Sequence, residues 1–597
     1  MVNDVVVGMV GAGGDGVITA GESLMYAASR EGYRAIMAKS YGSQIRGGES
    51  SFRIRLSTQP LWNAGGVLDV VVVLDWEGFL RLGAELPVTG CTTVIYDAHG
   101  GDEAAELPLA GIVPRQAIVV PIGDLARQHG GSNKVKNAVV LGLLAEWLDL
   151  PKATIAAGLA TRFARKSADV VGSNERAFRA GIEFAATRPL STSLALERPR
   201  TPAMPRLLTD GNDMCAAGAI FAGCSFFGGY PITPSTEIMQ FLGRELWRYG
   251  GTVLQAEDEI AGIGAVVGAS FAGRKAMTAT SGPGMSLKSE MLGLATIAEL
   301  PLVCVNVQRG GPSTGIPTKS EQSDLFQAAF SAHGDVVRPV IAPTCVADTF
   351  GTTIDAFNIA EQYQTPVILL SDADIAQRKE IIDPIDTSAL TLVDRREPND
   401  RELEHYVRFE ITESGISPLS RPGIEGGNYL ASGIEHGPSG APTANGAVHA
   451  RMNEKRLRKF NRLKARRDLF SIEGEPDAPI ALVSWGSTAG IAREAAFIAR
   501  REGIRLKLLV PRLVYPIAEE IFAEFFASVK AGLIVEQSHQ GQLYRIIRMF
   551  VDVPHGIESL ARSGANPISP HEIVDRLKEM IATLQHEQRP DPEPRLG

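Results

Sequence analysis

The chain has 597 residues, of which 44% are hydrophobic and 21% charged, with a formal net charge of −9. At about 150 residues per domain this length predicts three or four domains, and the lack of any basic excess argues against a nucleic-acid partner. No apolar run reaches the roughly 18 residues of a membrane span, and the start lacks the charged and apolar regions of a signal peptide, so a cytoplasmic protein with no membrane contact is expected.

From the N-terminus, DVVVGMV, LDVVVVLD and TTVIYDA read as strands and ITAGESLMYAASREG as a helix. Continuous valine-rich runs fit strands buried on both faces of a parallel sheet with helical crossovers. An α/β domain is expected over 1–186, followed by a Pro-, Arg- and Thr-rich linker over 187–206. GAGGDG, with Gly11, Gly13, Gly14 and Gly16, lies between a strand and a helix, where backbone N–H groups can approach a phosphate. A dinucleotide would need an acid about 20 residues on, and the next strand ends in Lys39 and Ser40 instead. With Arg46 in SYGSQIRGGES, the loop pair suits a phosphorylated ligand other than NAD. The alternative is a tight strand-to-helix turn with an exposed arginine.

A second α/β pattern runs over 207–440, with a helix at AAGAIFAGCSF and strands at AMTAT, LVCVNVQ and PVILLS. In GGYPITPSTE the prolines fix an extended segment around Ile232 and Thr233 before Ser235 and Thr236, which can cap a helix. In QAEDEIAGIGAVVGASFAG a helix is expected to begin near Asp258, placing Glu257, Asp258 and Glu259 where the macrodipole favours negative charge. Glu259 shares a face with Ile263 and Val266, which would draw its carboxyl toward an apolar environment. TSGPGMSLKSE and QRGGPSTGIPTKSE follow two further strands, and the second puts Arg309 at the carboxyl edge of the sheet. There it either grips a carboxylate or forms a surface ion pair.

Residues 410–449 are rich in Gly, Pro and Ser with little periodicity, as in a functional or partner-wrapping segment. A basic connecting helix over 441–476 reads as a solvated face, a third α/β pattern fills 477–585, and a disordered tail is expected over 586–597. The cysteines Cys91, Cys215, Cys224, Cys304 and Cys345 form no CxxC pair and have no histidine at ligand spacing. No zinc or iron–sulfur cluster is expected in this chain.

Taken together, YPITPSTE, EDEIAGIGAVVGASFAG, TSGPGMSLKSE and QRGGPSTGIPTK resemble the pyrimidine-binding domain of the 2-oxoacid:ferredoxin oxidoreductases. GAGGDGV with SYGSQIRGG resembles the γ-type domain of that family, and LVSWGST with VEQSHQGQL its transketolase C-terminal-like domain. The resemblance implies an α subunit with a fused γ-type domain, of the 2-oxoglutarate more than the pyruvate type. It would catalyse CoA-dependent oxidative decarboxylation of a 2-oxoacid with electrons passed to ferredoxin, or the reductive reverse. It also implies thiamine diphosphate with Mg²⁺, shared with a β subunit that carries a [4Fe-4S] cluster, in a dimer of αβ heterodimers.

By the same resemblance Glu259 meets the pyrimidine ring nitrogen, and Tyr230, Pro231, Ile232 and Gly282 contact the cofactor. Thr233 and Arg309 hold the 2-oxoacid, with Ser313, Thr314 and Lys319 as further substrate contacts. Gly11, Gly13, Gly14, Gly16, Lys39 and Arg46 would meet coenzyme A. The competing readings are a pyruvate or broad-specificity enzyme and a non-catalytic assembly subunit.

Overall fold

The structure, a computed structural model, describes residues 1–42, 48–98, 107–199, 205–564 and 567–587. Arg46 and the tail beyond Glu587 lie outside the described residues, while His586 and Glu587, expected in the tail, close the helix Pro570–Glu587.

One unit comprises Met1–Gly211 and Gln377–Asp386. Its eight-stranded sheet runs in the order Gln116–Val120, Thr93–Asp97, Val70–Val73, Asp4–Gly11, Ser50–Ser57, Arg34–Tyr41, Lys379–Ile382 and Leu207–Thr209. The first four strands are parallel, and the valine-rich Val70–Val73 is buried throughout. The remaining pairings are antiparallel, so the parallel arrangement expected of the valine-rich runs holds for those strands and does not extend across the sheet. The reason lies in SSFRIRLS, whose alternating Phe52, Ile54 and Leu56 bury one face between two neighbouring strands. Helix Lys136–Trp147 is apolar almost all round and correspondingly buried.

The other unit comprises Asn212–Ala376 and the chain from Thr387 onward. Its seven-stranded sheet is ordered Leu513–Tyr515, Val340–Ile341, Pro366–Asp372, Leu302–Gln308, Ala276–Thr280, Phe226–Gly229 and Thr252–Gln255. All neighbours are parallel except the Leu513–Tyr515 edge. A five-stranded sheet holds Phe470–Gly474, Leu506–Pro511, Ile480–Ser484, Ala531–Glu536 and Gly556–Ala561. The helix expected at AAGAIFAGCSF spans Gly211–Phe221 instead, because Gly223 takes a positive φ and Phe226 already begins a strand.

The basic segment forms helices Gly446–Arg458 and Asn461–Lys464. One side of it is not solvated: Lys455 and Lys459 are buried against Glu299, which follows the end of helix Gly282–Ile297. Lys455 Nζ donates to the two Glu299 carboxylate oxygens at 2.6 and 2.8 Å, and Lys459 pairs with the same carboxylate. Arg408, from the long Gly/Pro-rich region, donates to the Glu299 carbonyl at 2.8 Å. Burial alone would raise the Glu299 carboxyl, but Lys459, Lys455 and Arg408 outweigh it and hold the group far below the usual carboxylate range. Burial pulls Lys459 down to about 7 against the attraction of Glu299.

The two groups act on stability in different pH windows. Glu299 contributes stability that is present above its unfolded value of about 4.3 and lost as pH falls through the folded value. For Lys459 the folded value lies below the unfolded one of about 10.4, so the unfolded chain binds the extra proton in between, and this group makes stability rise with pH. Glu299→Gln should lower unfolding stability by about 3–5 kcal/mol, because it strands buried cations. Lys459→Met should reduce the gain in unfolding midpoint between pH 7 and pH 9; identical pH dependence in the variant and the parent would refute the assignment.

Candidate functional site

In the second unit, the parallel strands Phe226–Gly229, Thr252–Gln255, Ala276–Thr280 and Leu302–Gln308 deliver four segments to one sheet edge. Their carboxyl ends are where ligands bind in open α/β sheets. In the first segment, the Ser235 N–H and O–H both donate to the Ile232 carbonyl, at 2.9 and 3.0 Å. Ser235 therefore folds its hydroxyl back and makes no side-chain cap for helix Thr236–Glu245, contrary to expectation. Asn212 Nδ2 donates to the Pro234 carbonyl at 2.8 Å, fixing the other side of the turn. Tyr230 is 40% exposed, Pro231 and Ile232 are partly buried, and Thr233 is exposed.

Asp258 caps helix Glu259–Phe271 by accepting the Ala261 N–H at 2.7 Å. This leaves Glu257 exposed and makes Glu259 the first helical residue, buried to 7%. The Glu259 side chain lies against Gly284, where an added Cβ would stand 2.7 Å from a carboxylate oxygen and 2.1 Å from Thr280 Oγ1. Only glycine fits there. Lys288, fully buried one turn further along helix Gly282–Ile297, donates to the backbone carbonyl of Glu259 at 3.0 Å. Burial pulls the Lys288 ammonium down, opposed by Cys304 and Glu259. Among the described residues, none donates a hydrogen bond to the Glu259 carboxyl.

Arg309 is buried to 6% and donates through Nη1 to the Thr233 carbonyl. The structure thus brings Thr233 and Arg309 together through the Thr233 backbone. Burial lowers the Arg309 guanidinium, with Asp324 opposing. Ser281 Oγ, Asn306 Oδ1, Arg309 Nε and Gln327 Oε1 are buried without a partner among the described residues. They share one neighbourhood: Gln327 Nε2 donates to Ser286 Oγ at 2.6 Å, and Asn306 Nδ2 donates to Asp324 Oδ2 at 3.0 Å beside Gly282. Buried polar atoms are nearly always bonded. Such a group next to an unbonded carboxyl is what a polar heterocyclic cofactor would satisfy, so these residues fit one.

The segment after Arg309 is closed by Gly310 N–H to the Lys319 carbonyl at 3.0 Å and Ile316 N–H to the Gly310 carbonyl at 2.8 Å. Glu321 anchors it, accepting from Gly311 N–H at 3.3 Å and from Gly564 N–H at 2.9 Å. Ser313 and Thr314 are exposed on this loop and hydrogen-bonded to neither Arg309 nor Glu259; the Lys319 backbone closes its base.

The residues singled out near the N-terminus belong to the other unit. Gly11 ends its strand, and Gly13, Gly14 and Gly16 lead into helix Val17–Glu31. Asp15 turns its carboxylate onto the Ala12 N–H at 3.0 Å, occupying an amide that a phosphate would use. Burial raises the Asp15 carboxyl. Lys39 lies 3.8 Å from Glu22, and Lys136 pairs with Asp97 at 2.9 Å.

Lys288, Asn306, Glu321, Asp324 and Gln327 were not singled out from the sequence. The only signal for Asp324 was its place before LFQAAF, which reads as an ordinary helix cap. Among the described residues, no group of three or more His, Cys, Asp or Glu side chains is placed to hold a metal ion.

Comparison with known proteins bears on the same segments. Residues 217–455 match the family described as pyruvate flavodoxin/ferredoxin oxidoreductase, thiamine diphosphate-binding, and residues 6–184 match pyruvate ferredoxin/flavodoxin oxidoreductase. The chain is 31% identical to 2-oxoglutarate oxidoreductase subunit KorA of Mycobacterium tuberculosis, over 91% of this chain and 87% of the relative. It is 38% identical to 2-oxoglutarate synthase subunit KorA of Methanothermobacter thermautotrophicus, over 62% of this chain and 97% of that one. Among solved structures it is similar to the 2-oxoglutarate:ferredoxin oxidoreductase of Magnetococcus marinus, with 2-oxoglutarate, coenzyme A and succinyl-CoA bound. There the TM-score is 0.91 at 36% identity, covering 97% of this chain and all of that one.

The geometry makes Glu321 the tether of the loop behind Arg309. Glu321→Ala should raise backbone hydrogen exchange at Gly310–Ile316 by roughly tenfold, the loss expected from removing a charged hydrogen-bond acceptor. Exchange in strand Leu302–Gln308 should stay unchanged; equal acceleration in both would show that Glu321 acts on the whole sheet.

Proposed function

Because the chain belongs to the 2-oxoacid:ferredoxin oxidoreductase family, as an α subunit with the γ-type region fused ahead of it, we propose that its second-unit sheet edge binds the pyrimidine half of thiamine diphosphate and a 2-oxoacid. Thiamine diphosphate, when bound, supplies the nucleophilic carbon that adds to the keto group and accepts the charge left by decarboxylation. The observation that carries the reading is Glu259, buried against Gly284 with its carboxyl unbonded among the described residues. Glu259 holds a proton toward the ring nitrogen opposite the cofactor's amino group, in a low-dielectric setting that strengthens the bond. Asp258 caps the helix start through the Ala261 N–H and Lys288 holds the Glu259 carbonyl, leaving the carboxyl itself uncommitted.

Tyr230, Pro231, Ile232 and Gly282 line the cofactor. Arg309 meets the substrate carboxylate through the donors that its bond to Thr233 leaves over, and Nε is one of them. Thr233 contacts the same substrate group, Ser313 and Thr314 are further contacts, and Lys319 reaches toward its far end. The substrate is 2-oxoglutarate, supported by the names of the relatives.

The diphosphate, its Mg²⁺ and a [4Fe-4S] cluster sit in a partner β subunit within a dimer of αβ heterodimers that serves ferredoxin. In support, the cysteines here are dispersed along the chain. Coenzyme A meets the N-terminal unit near Gly11–Gly16 and Lys39, which requires Asp15 and Glu22 to give up their present partners. No described helix is long and apolar enough to cross a membrane, and we place the complex in the cytoplasm.

The complex of this chain with its β subunit, assayed for methyl viologen reduction with CoA across several 2-oxoacids, tests the reading. Glu259→Gln should lower turnover by about 10²–10⁴-fold with assembly preserved. Arg309→Lys should raise KM for the 2-oxoacid about tenfold, because a point charge replaces a planar fork. Full activity in Glu259→Gln would defeat the assignment.

A further inference from the structure

Asp324 stands at the start of helix Leu325–Phe330, where an aspartate ordinarily accepts backbone N–H groups of the first turn. It makes no such bond. Gln542 does the work instead, accepting the Phe326 N–H at 2.8 Å and donating to the Ser323 carbonyl at 2.7 Å. The Asp324 carboxyl turns away to the sheet edge, where Asn306 Nδ2 donates to it at 3.0 Å. Its oxygen comes to 3.1 Å from where a Cβ on Gly282 would stand, so that glycine opens the space it occupies. Its own N–H donates to Gln308 Oε1 at 3.0 Å, tying it to the residue before Arg309.

The charged groups that face this carboxyl are Arg309, at the end of strand Leu302–Gln308, and Glu321 on its own segment. From helix Gly282–Ile297 it meets Gly282, and from the C-terminal part the uncharged Gln542 meets its neighbours. Asp324 forms no ion pair with Arg309, whose Nη1 is committed to Thr233. Burial, aided by Glu321, raises the carboxyl to about 6, with the Asn306 bond and Arg309 opposing. A substrate carboxylate arriving at Arg309 brings a second anion to that cation and next to Asp324. Two carboxylates facing one cation in a partly desolvated site cannot both stay ionised cheaply.

We propose that Asp324 takes up a proton when the carboxylate of a 2-oxoacid binds Arg309, making substrate binding proton-linked. The inference rests on the reading of Arg309 as the anchor of the oxoacid. The proton comes from solvent on binding and returns when the carboxylate leaves as CO₂ or the substrate dissociates, so no other reactant is needed. Protonated Asp324 then presents a hydroxyl donor where the free site presented an anion. That donor can serve the substrate or the unbonded Asn306 Oδ1.

The linkage has a defined sign. Asp324 ionised in the free site and protonated in the complex makes affinity fall with rising pH, by up to tenfold per unit, between the free and bound values. The test is isothermal titration of the assembled complex with N-oxalylglycine and with oxamate, whose amide carbonyls resist addition, in two buffers of different ionisation enthalpy at pH 7. The expected result is net uptake approaching one proton per site. Affinity should weaken above pH 6 in the parent and stay flat in Asp324→Asn, which keeps the bond geometry without the titration.

Binding without proton uptake, or the same uptake in Asp324→Asn, overturns this inference and leaves the oxoacid reading standing. No binding of either analogue overturns both. Should Asp324→Asn fail to assemble, the buffer-dependent heat of the parent and the pH dependence of its affinity still decide.

Discussion

An acid held in a protein interior either loses its charge or finds a cation, and the arrangement around Glu259 avoids committing to either. Its helix start is capped by Asp258, its backbone carbonyl takes the ammonium of Lys288, and its carboxyl packs against the bare Cα of Gly284. The cation is spent on the backbone of this residue, and its side chain stays uncommitted. A salt bridge from Lys288 to the carboxyl would have tied the side chain up and removed it from the role proposed for it. Helix Gly282–Ile297 therefore does two things at its first turns: it gives up a side chain at Gly284 and supplies a restraint from Lys288.

Past the other end of that helix the opposite choice is made. Glu299 is deeply buried, but two lysines and an arginine converge on the residue. Those cations come from positions 408, 455 and 459, so the ion cluster fastens the Gly/Pro-rich segment and the basic helix onto the domain that carries Glu259. Burying surplus positive charge is a poor source of stability compared with apolar packing. Its effect is registry, because only one docking of the basic helix places both Lys455 and Lys459 on a single carboxylate. The position of helix Gly282–Ile297 is thus fixed at its end by ions and at its start by steric fit.

Local signals made much of this readable from the sequence. Valine-rich runs gave strands such as Val70–Val73 and Leu302–Gln308, and the acid cluster before EIAGIG placed the start of helix Glu259–Phe271 within one residue. What stayed hidden depends on partners far along the chain. Lys455 reads as one of many charges on a solvated helix until Glu299, more than 150 residues earlier, is brought to it. Asp324 reads as a cap, and only the distant Gln542 relieves it of that task. Thr233 and Arg309 were both singled out for their side chains, yet the contact between them uses the Thr233 carbonyl, because the proline turn aims the backbone at the sheet edge. Strand Ser50–Ser57 alternates plainly, but the glycines and arginine before it read as a binding loop and mask its start.

The unbonded polar atoms at the sheet edge set a limit on how this site can exist. Each buried donor or acceptor left without a partner costs about 1–3 kcal/mol, and Ser281, Asn306, Arg309 and Gln327 contribute four such atoms in one place. A flexible region would relax and satisfy them internally. Here Ser281, Asn306 and Arg309 lie in or just beyond parallel strands whose residues are wholly buried, and Gln327 sits on the short helix Leu325–Phe330, so relaxation would break more bonds than it made. The strain stays in the site, and a ligand that supplies the missing partners recovers it as binding energy. The same rigidity favours the proposed proton linkage: side chains that cannot move apart as a second carboxylate arrives would change their protonation instead.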